Sequence, residues 1–200
     1  MTPELDAHGA WAVVAVRGSI AAATIVWAAA EYLRWRVPSR FAAARALWSA
    51  GALLIVCHAL AVFHFVHGWS HQEALSHTAR QTALLTGLDW SWGLYVNYAF
   101  IALWAVDSAW SWWNPGAYQR QSTSARDALL AIFLFMFVNG GIVFAPWPAR
   151  GIGIVAVASV IWSRWTRSDS FASAPPGAAS RGQSSIESVS LSAPRRPPRY

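Results

Sequence analysis

The chain has 200 residues, of which 56% are hydrophobic and only 12% are charged. A soluble domain carries about 25% charged residues, so this composition argues against an ordinary soluble fold and indicates a membrane protein. All 15 basic residues are arginine, and the formal net charge is +6. Because these arginines lie at the ends of apolar segments, they are expected to orient the chain in a membrane and not to bind nucleic acid.

The apolar segments predict an all-α integral membrane protein, built as a five-helix transmembrane bundle. A membrane-spanning helix needs about 20 apolar residues, and Pro146 and Pro148 would separate the last two spans as a tight turn. The transmembrane domain is predicted to cover residues 1–165. The segment 166–200, rich in Ser, Ala, Pro, Gly and Arg, is predicted to be a disordered cytoplasmic tail. The predicted spans are residues 11–33, 46–67, 93–113, 128–145 and 149–165.

The distribution of arginine predicts the orientation of these spans. The segments after spans one, three and five carry four, two and six arginines, whereas the two remaining loops carry only Arg80 and Arg150. Loops rich in arginine stay in the cytoplasm. The chain is therefore predicted to be a multi-pass protein of the cell membrane, with its N-terminus outside and its C-terminus in the cytoplasm. Glu4 and Asp6 precede the first apolar run, which disfavours a cleaved signal peptide.

The loop between spans two and three carries the signals of a helix of its own. Ser70 and Glu73 have the spacing of a capping box, and Gly68 and Gly87 are typical helix stops. An extra amphipathic helix over about 71–86 is therefore predicted, lying in the external loop at the membrane surface.

Polar side chains at membrane depth are costly and therefore suggest function. The orientation above places such groups from four spans at a similar depth on the outer side. This pattern predicts an outward-facing polar pocket that is lined by histidines and binds a small polar ligand. The predicted pocket residues besides histidine are Arg17, Tyr95, Asn97 and Asn139.

Five of the six histidines lie between residues 58 and 77. His64 and His67 are three residues apart and share a helix face. One interpretation is a divalent metal site, whose ligands would be His64, His67, His71, Glu73 and His77. The alternative is a set of interfacial histidines that bond to one another, to indoles, to headgroups and to water. Haem b is disfavoured, because a bis-His haem takes its ligands from facing helices and the other four spans contain no histidine.

The inner half of the bundle carries fewer polar residues. Glu31 and Arg34 have the spacing of an ion pair on one helix. Asp107 has no basic neighbour in its own span, so it either bonds to another helix or carries protons. Trp104 and the other tryptophans near the inner end of span three are expected in the interfacial belt.

The motifs of common enzymes are missing from the sequence, which favours a protein that is not an enzyme. The leading hypothesis is a small membrane protein with an outward-facing, histidine-lined pocket for a divalent metal or a small polar ligand. One alternative is a non-catalytic membrane subunit that binds a partner protein. The other is a small proton-coupled carrier that uses Asp107 and the outer histidines as separate half-sites. In each case the lipid bilayer is the expected surrounding.

Overall fold

The structure is a computed structural model that describes the backbone of residues 3–172 and the side chains of residues 9–166. Within that part of the chain the secondary structure is helical, without strands. A short 3₁₀ turn, Pro38–Arg40, joins the first two helices, and a π-helical turn, Asn139–Val143, extends the sixth. The helices are α1 (Pro3–Arg36), α2 (Phe41–Phe65), α3 (His71–Thr86), α4 (Gly93–Trp113), α5 (Pro115–Gln119), α6 (Thr123–Val138) and α7 (Ala149–Ala172).

Three helical segments are long and apolar enough to cross a membrane: Gly9–Arg36, Pro38–Phe65 and Thr123–Val143. They confirm the all-helical class and agree with a membrane protein. Helix α4 has 21 residues, but Asp107 and its several Trp and Tyr residues lower its mean hydropathy. The count of five spans therefore stays a prediction.

The C-terminal helix extends further than the fifth apolar segment. Helix α7 continues to Ala172, whereas the predicted fifth span ends at residue 165. Residues 173–200, which make up most of the predicted tail, lie outside the described residues.

Large aromatic side chains from α1, α2, α4 and α6 form the centre of the bundle. The ring of Trp27 stacks on Phe137 with a centroid distance of 4.3 Å, and Trp48 lies 4.6 Å from Phe133 and 5.4 Å from Trp104. Close packing of this kind stabilises helices in lipid, where the hydrophobic effect between helices is absent. We call this cluster the aromatic core; its members are Trp27, Trp48, Phe100, Trp104, Phe133 and Phe137.

The expected interfacial position of Trp104 is wrong, because its side chain is fully buried in the aromatic core. Its indole N–H donates to the backbone carbonyl of Trp48 at 3.1 Å. A buried tryptophan usually bonds to such an acceptor, and α2 supplies one for Trp104. Gly51 gives this indole its space, since a Cβ atom there would lie 2.5 Å from the ring.

The aromatic core divides the bundle into two ends, each with a cavity. The arginine end comprises the α1–α2 turn, the end of α4, helix α5 and the start of α6. The histidine end comprises the α2–α3 turn, the start of α4 and the end of α6 with its π-helical turn.

Candidate ligand-binding cavity

The α2–α3 turn shapes the histidine end. Gly68 and Trp69 adopt left-handed backbone conformations, with φ of 53° and 63°. The Ser70 side chain then accepts a hydrogen bond from the Glu73 backbone N–H at 3.2 Å and begins α3. A left-handed conformation costs a non-glycine residue about 1–2 kcal/mol, so Trp69 is held there by its surroundings. The reversal leaves the side chain of His67 facing inward and only 8% exposed.

A cavity of about 190 Å³ lies behind this turn, between α1, α2, α4 and the end of α6. We call it the histidine-end cavity. Its wall is mostly apolar and includes Ile55, Phe63, Phe100, Ile101, Met136 and Phe137. Four polar side chains interrupt that wall, namely His58, His67, Asn97 and Tyr98.

The polar groups in the wall differ in whether they have partners. His58 Nδ1 lies 3.0 Å from the Val16 carbonyl oxygen and 3.2 Å from Ser19 Oγ, so this ring is fixed against α1. The hydroxyl of Tyr98 lies 3.2 Å from His71 Nδ1. His67 Nδ1, by contrast, is buried and has no hydrogen-bond partner among the described residues. Leaving such a group unpaired costs about 1–3 kcal/mol, so His67 is the wall residue best placed to bond a ligand.

The π-helical turn forms another part of the wall. The backbone N–H of Phe144 donates to the carbonyl of Asn139 at 2.9 Å, which is the five-residue spacing of a π-helix. Gly140 and Gly141 of this turn line the cavity. Single π-helical turns occur frequently at functional sites.

Of the predicted pocket residues besides histidine, Asn97 lines the cavity and the other three do not. Arg17 is exposed on the outside of α1. Tyr95 packs against His71 and Trp92. The amide of Asn139 donates to the carbonyl of Phe135 in its own helix at 2.7 Å.

Sequence reasoning missed His58 and Tyr98 as cavity residues. His58 lies three residues after Ile55 and four before Val62, so the three share one face of α2, and all three line the cavity. The apolar face of α2 could therefore have predicted that His58 lies in the cavity wall. Tyr98 gave no comparable signal, because aromatic residues are frequent throughout α4.

The predicted metal site is not present among the described residues, where no group of three or more His, Cys, Asp or Glu side chains could hold a metal ion. The reversal after α2 is the physical reason. His64 is exposed and accepts from the Trp69 indole N–H at 3.2 Å, while His71 turns to Tyr98 on α4. Among the predicted ligands, the rings of His67 and His77 contact each other edge to face, with centroids 5.2 Å apart.

The fifth predicted ligand, Glu73, is engaged by an arginine. Its carboxylate accepts from Arg80 at 2.8 Å. The hydrogen bond to Arg80, and then the charge of Arg80, hold the pKa of Glu73 below its usual value. The support that this pair gives to α3 is present above the usual glutamate pKa and is lost as the pH falls through the lowered value.

The arginine end is built from a continuous hydrogen-bonded network. Arg34 donates to the Tyr118 hydroxyl at 2.6 Å, and that hydroxyl donates to Asp107 at 2.7 Å. Arg34 also pairs with Glu31 at 3.4 Å, as their spacing predicts. The Trp35 indole N–H donates to the same glutamate at 2.8 Å.

The two ends can therefore perform different chemistry. The histidine end offers an apolar cavity beside an imidazole nitrogen that has no partner in the described residues, whereas the arginine end offers paired charges beside a second cavity. No protein-family model, curated protein or solved structure matches the chain.

Proposed function

We propose that the chain is a small multi-pass membrane protein that binds a mostly apolar small molecule in the histidine-end cavity. The observation that carries this proposal is that His67, a residue of the cavity wall, has a buried Nδ1 atom without a hydrogen-bond partner among the described residues. The hydrogen-bonding group of the ligand would bond to this nitrogen, and its apolar body would contact the remaining wall. Because most of that wall is apolar, this ligand is less polar than the sequence suggests.

The volume of the cavity limits the size of the ligand. An apolar cavity of about 150 Å³ holds one benzene molecule, and this one has about 190 Å³. A single ring with one polar substituent, or a short aliphatic chain with a polar end, would fill it. Molecules of this kind dissolve in the bilayer and would reach the cavity from the lipid.

Two further features support a binding role at this end. Trp69 adopts a left-handed conformation two residues after His67, and the π-helical turn of α6 lines the same cavity. Backbone strain and π-helical turns cluster at functional sites. Their presence around one cavity favours ligand binding over simple packing.

The arrangement in the membrane is part of the proposal. Five spans, an external N-terminus, a cytoplasmic C-terminus and an external α3 agree with the bias of arginine toward one end. Reporter domains fused after Ser170 should behave as cytoplasmic, and those inserted within residues 72–86 as external. A reporter after Ser170 that behaves as external would contradict this arrangement.

Binding can be tested with phenol and benzene, which differ by one hydroxyl group. Radiolabelled phenol should bind saturably to the protein in nanodiscs, above its partition into empty nanodiscs. His67→Leu should weaken phenol binding about 3–10-fold and leave benzene binding nearly unchanged. His64→Leu is the matched control, because His64 does not line the cavity, and it should change neither affinity.

A blocking variant tests the location of binding. Gly140→Leu adds a side chain to the cavity wall, and a Cβ atom at this position meets no atom within 4 Å. It should reduce the binding of both phenol and benzene. Saturable binding that survives both Gly140→Leu and His67→Leu would place the ligand elsewhere and contradict the proposal.

The contacts of Asp107 favour a structural role over the proton-coupled carrier. Tyr118 donates to this carboxylate within a network that also contains Arg34. A non-catalytic subunit with a membrane-protein partner stays a prediction, and no contact within the described residues favours it over ligand binding.

A further inference from the structure

We infer that the cavity at the arginine end binds the phosphate headgroup of an anionic phospholipid. This arginine-end cavity has a volume of about 180 Å³ and lies between the end of α1, the starts of α2 and α6, and α5. These are the ends of the apolar helices, which is the depth at which headgroups lie. The site is separate from the histidine-end cavity and does not depend on what that cavity binds.

The wall of this cavity has a polar side and an apolar side. Its apolar side consists of Leu33, Pro38, Phe41, Leu129 and Leu130. Its polar side includes Glu31, Arg34, Trp35, Gln119, Gln121 and Arg126. An amphiphile fits such a wall, because its phosphate can meet the arginines while the adjoining carbon atoms contact the leucines.

The guanidinium group of Arg34 is already held in a fixed position before any phosphate binds. Its guanidinium group lies 3.9 Å above the ring of Trp48 and bonds to Glu31 and Tyr118. A guanidinium group has five N–H donors, so these two bonds leave further donors for a phosphate. Because the group is already held in place, little side-chain entropy is lost when a ligand binds.

The charges in the wall favour an anion. Arg126, whose guanidinium group donates to the carbonyl of Gln119, adds a second positive charge. Glu31 is compensated, since one carboxylate oxygen accepts from Arg34 and the other from Trp35. The wall therefore carries two arginines against one glutamate, and arginine binds phosphate with strong, directional hydrogen bonds.

A phospholipid fits this cavity better than free phosphate. Inorganic phosphate would leave the apolar side of the wall without a contact. Basic pockets between membrane helices are typical sites for anionic headgroups. Other arginines surround this end and would raise the local concentration of anionic lipid: Arg36, Arg40, Arg45 and Arg120.

Native mass spectrometry of the delipidated protein in a non-ionic detergent tests the inference. Dioleoylphosphatidylglycerol should bind as one resolved adduct, at least 10-fold more tightly than dioleoylphosphatidylcholine. Arg126→Gln should weaken phosphatidylglycerol binding about 10-fold, because it removes a charged hydrogen-bond donor. Arg120→Gln is the matched control, since Arg120 is exposed and outside the cavity wall; it should change the affinity less than 2-fold.

A second variant and a soluble probe keep the test decisive. Gln121→Glu places a negative charge in the wall and should also weaken phosphatidylglycerol binding, even if Arg126→Gln fails to fold. Glycerol 3-phosphate should compete weakly or not at all. Equal losses for Arg126→Gln and Arg120→Gln would indicate diffuse surface attraction, and full competition by glycerol 3-phosphate would indicate a soluble anion. Either result would overturn the inference, as would equal affinity for the two lipids.

Discussion

The two ends of the bundle enclose cavities of nearly equal volume, about 190 and 180 Å³, but of opposite chemistry. At the arginine end Glu31, Arg34, Asp107 and Tyr118 satisfy one another through hydrogen bonds. At the histidine end His67 Nδ1 has no partner within the described part of the chain, and Trp69 is strained. The Glu31–Arg34–Tyr118–Asp107 network therefore stabilises the fold beside the proposed lipid site, whereas His67 lowers stability beside the proposed ligand cavity.

The largest loss of stability should come from the arginine end. Asp107→Leu removes the acceptor of the Tyr118 hydroxyl and leaves a buried donor next to Arg34. We expect the free energy of unfolding to fall by about 3 kcal/mol, measured by denaturant unfolding in detergent. Asp89→Leu is the control, because Asp89 is exposed. Equal effects of the two substitutions would show that the network contributes little.

The aromatic core between the two ends should respond nearly as strongly to added volume. Gly51→Ala would place a methyl group 2.5 Å from the ring of Trp104, and overpacking of this kind costs about 1–3 kcal/mol. Gly18→Ala should instead be neutral or stabilising, since a Cβ atom there meets nothing within 4 Å and alanine is the better helix former. If Gly51→Ala melts at or above the wild-type temperature, the described packing of Trp104 is wrong.

At the histidine end, a substitution that weakens ligand binding should leave stability unchanged or raise it. His67→Leu removes an unpaired buried nitrogen, so stability should stay constant or rise by about 1 kcal/mol. His58→Leu, in the same cavity, removes bonds to Val16 and Ser19 and should cost about 1–2 kcal/mol. Thermal melting of the two variants side by side distinguishes them. A His67→Leu variant that is less stable than His58→Leu would show that His67 is structural.

The smallest effect should be confined to α3. Ser70→Ala removes the hydrogen bond that caps this helix and should lower its local stability by about 0.5–2 kcal/mol. Faster hydrogen exchange in the first turn of α3 would reveal the change, while global melting stays the same. Ser76→Ala, in the middle of α3, should leave this exchange unchanged or slower. Equal exchange in both variants would contradict the role of the cap.

Local signals predicted the elements that local interactions determine. The cap at Ser70 follows from residue types near the helix end, and the limits of α4 follow from the length of its apolar segment. Helix α5 also begins with local signals, an Asn114 cap and Pro115 at its first position, which were not used in the prediction. The π-helical turn gave no comparable local signal. The burial of Trp104 could not be predicted from its own helix either, because its indole N–H donates to an acceptor on another helix.

The candidate site was predicted only in outline. A histidine-lined cavity was expected at this end, and His67 and Asn97 do line one. The metal ligands were grouped by their spacing along the chain. Spacing predicts a shared face only while a helix continues, and the left-handed residues Gly68 and Trp69 break that continuity. Arg17 was placed by depth alone, which does not reveal the direction of a side chain around the helix axis.

The most direct test of the binding proposal is nitrogen NMR of the protein in nanodiscs, with ¹⁵N-labelled histidine. The resonances of His67 can be assigned by their loss in His67→Leu. Phenol should shift these resonances saturably, because its hydroxyl bonds to Nδ1, whereas benzene should shift them little and His64 should respond to neither. If phenol leaves His67 unchanged, or if benzene shifts it equally, His67 does not bond the ligand and the binding proposal fails.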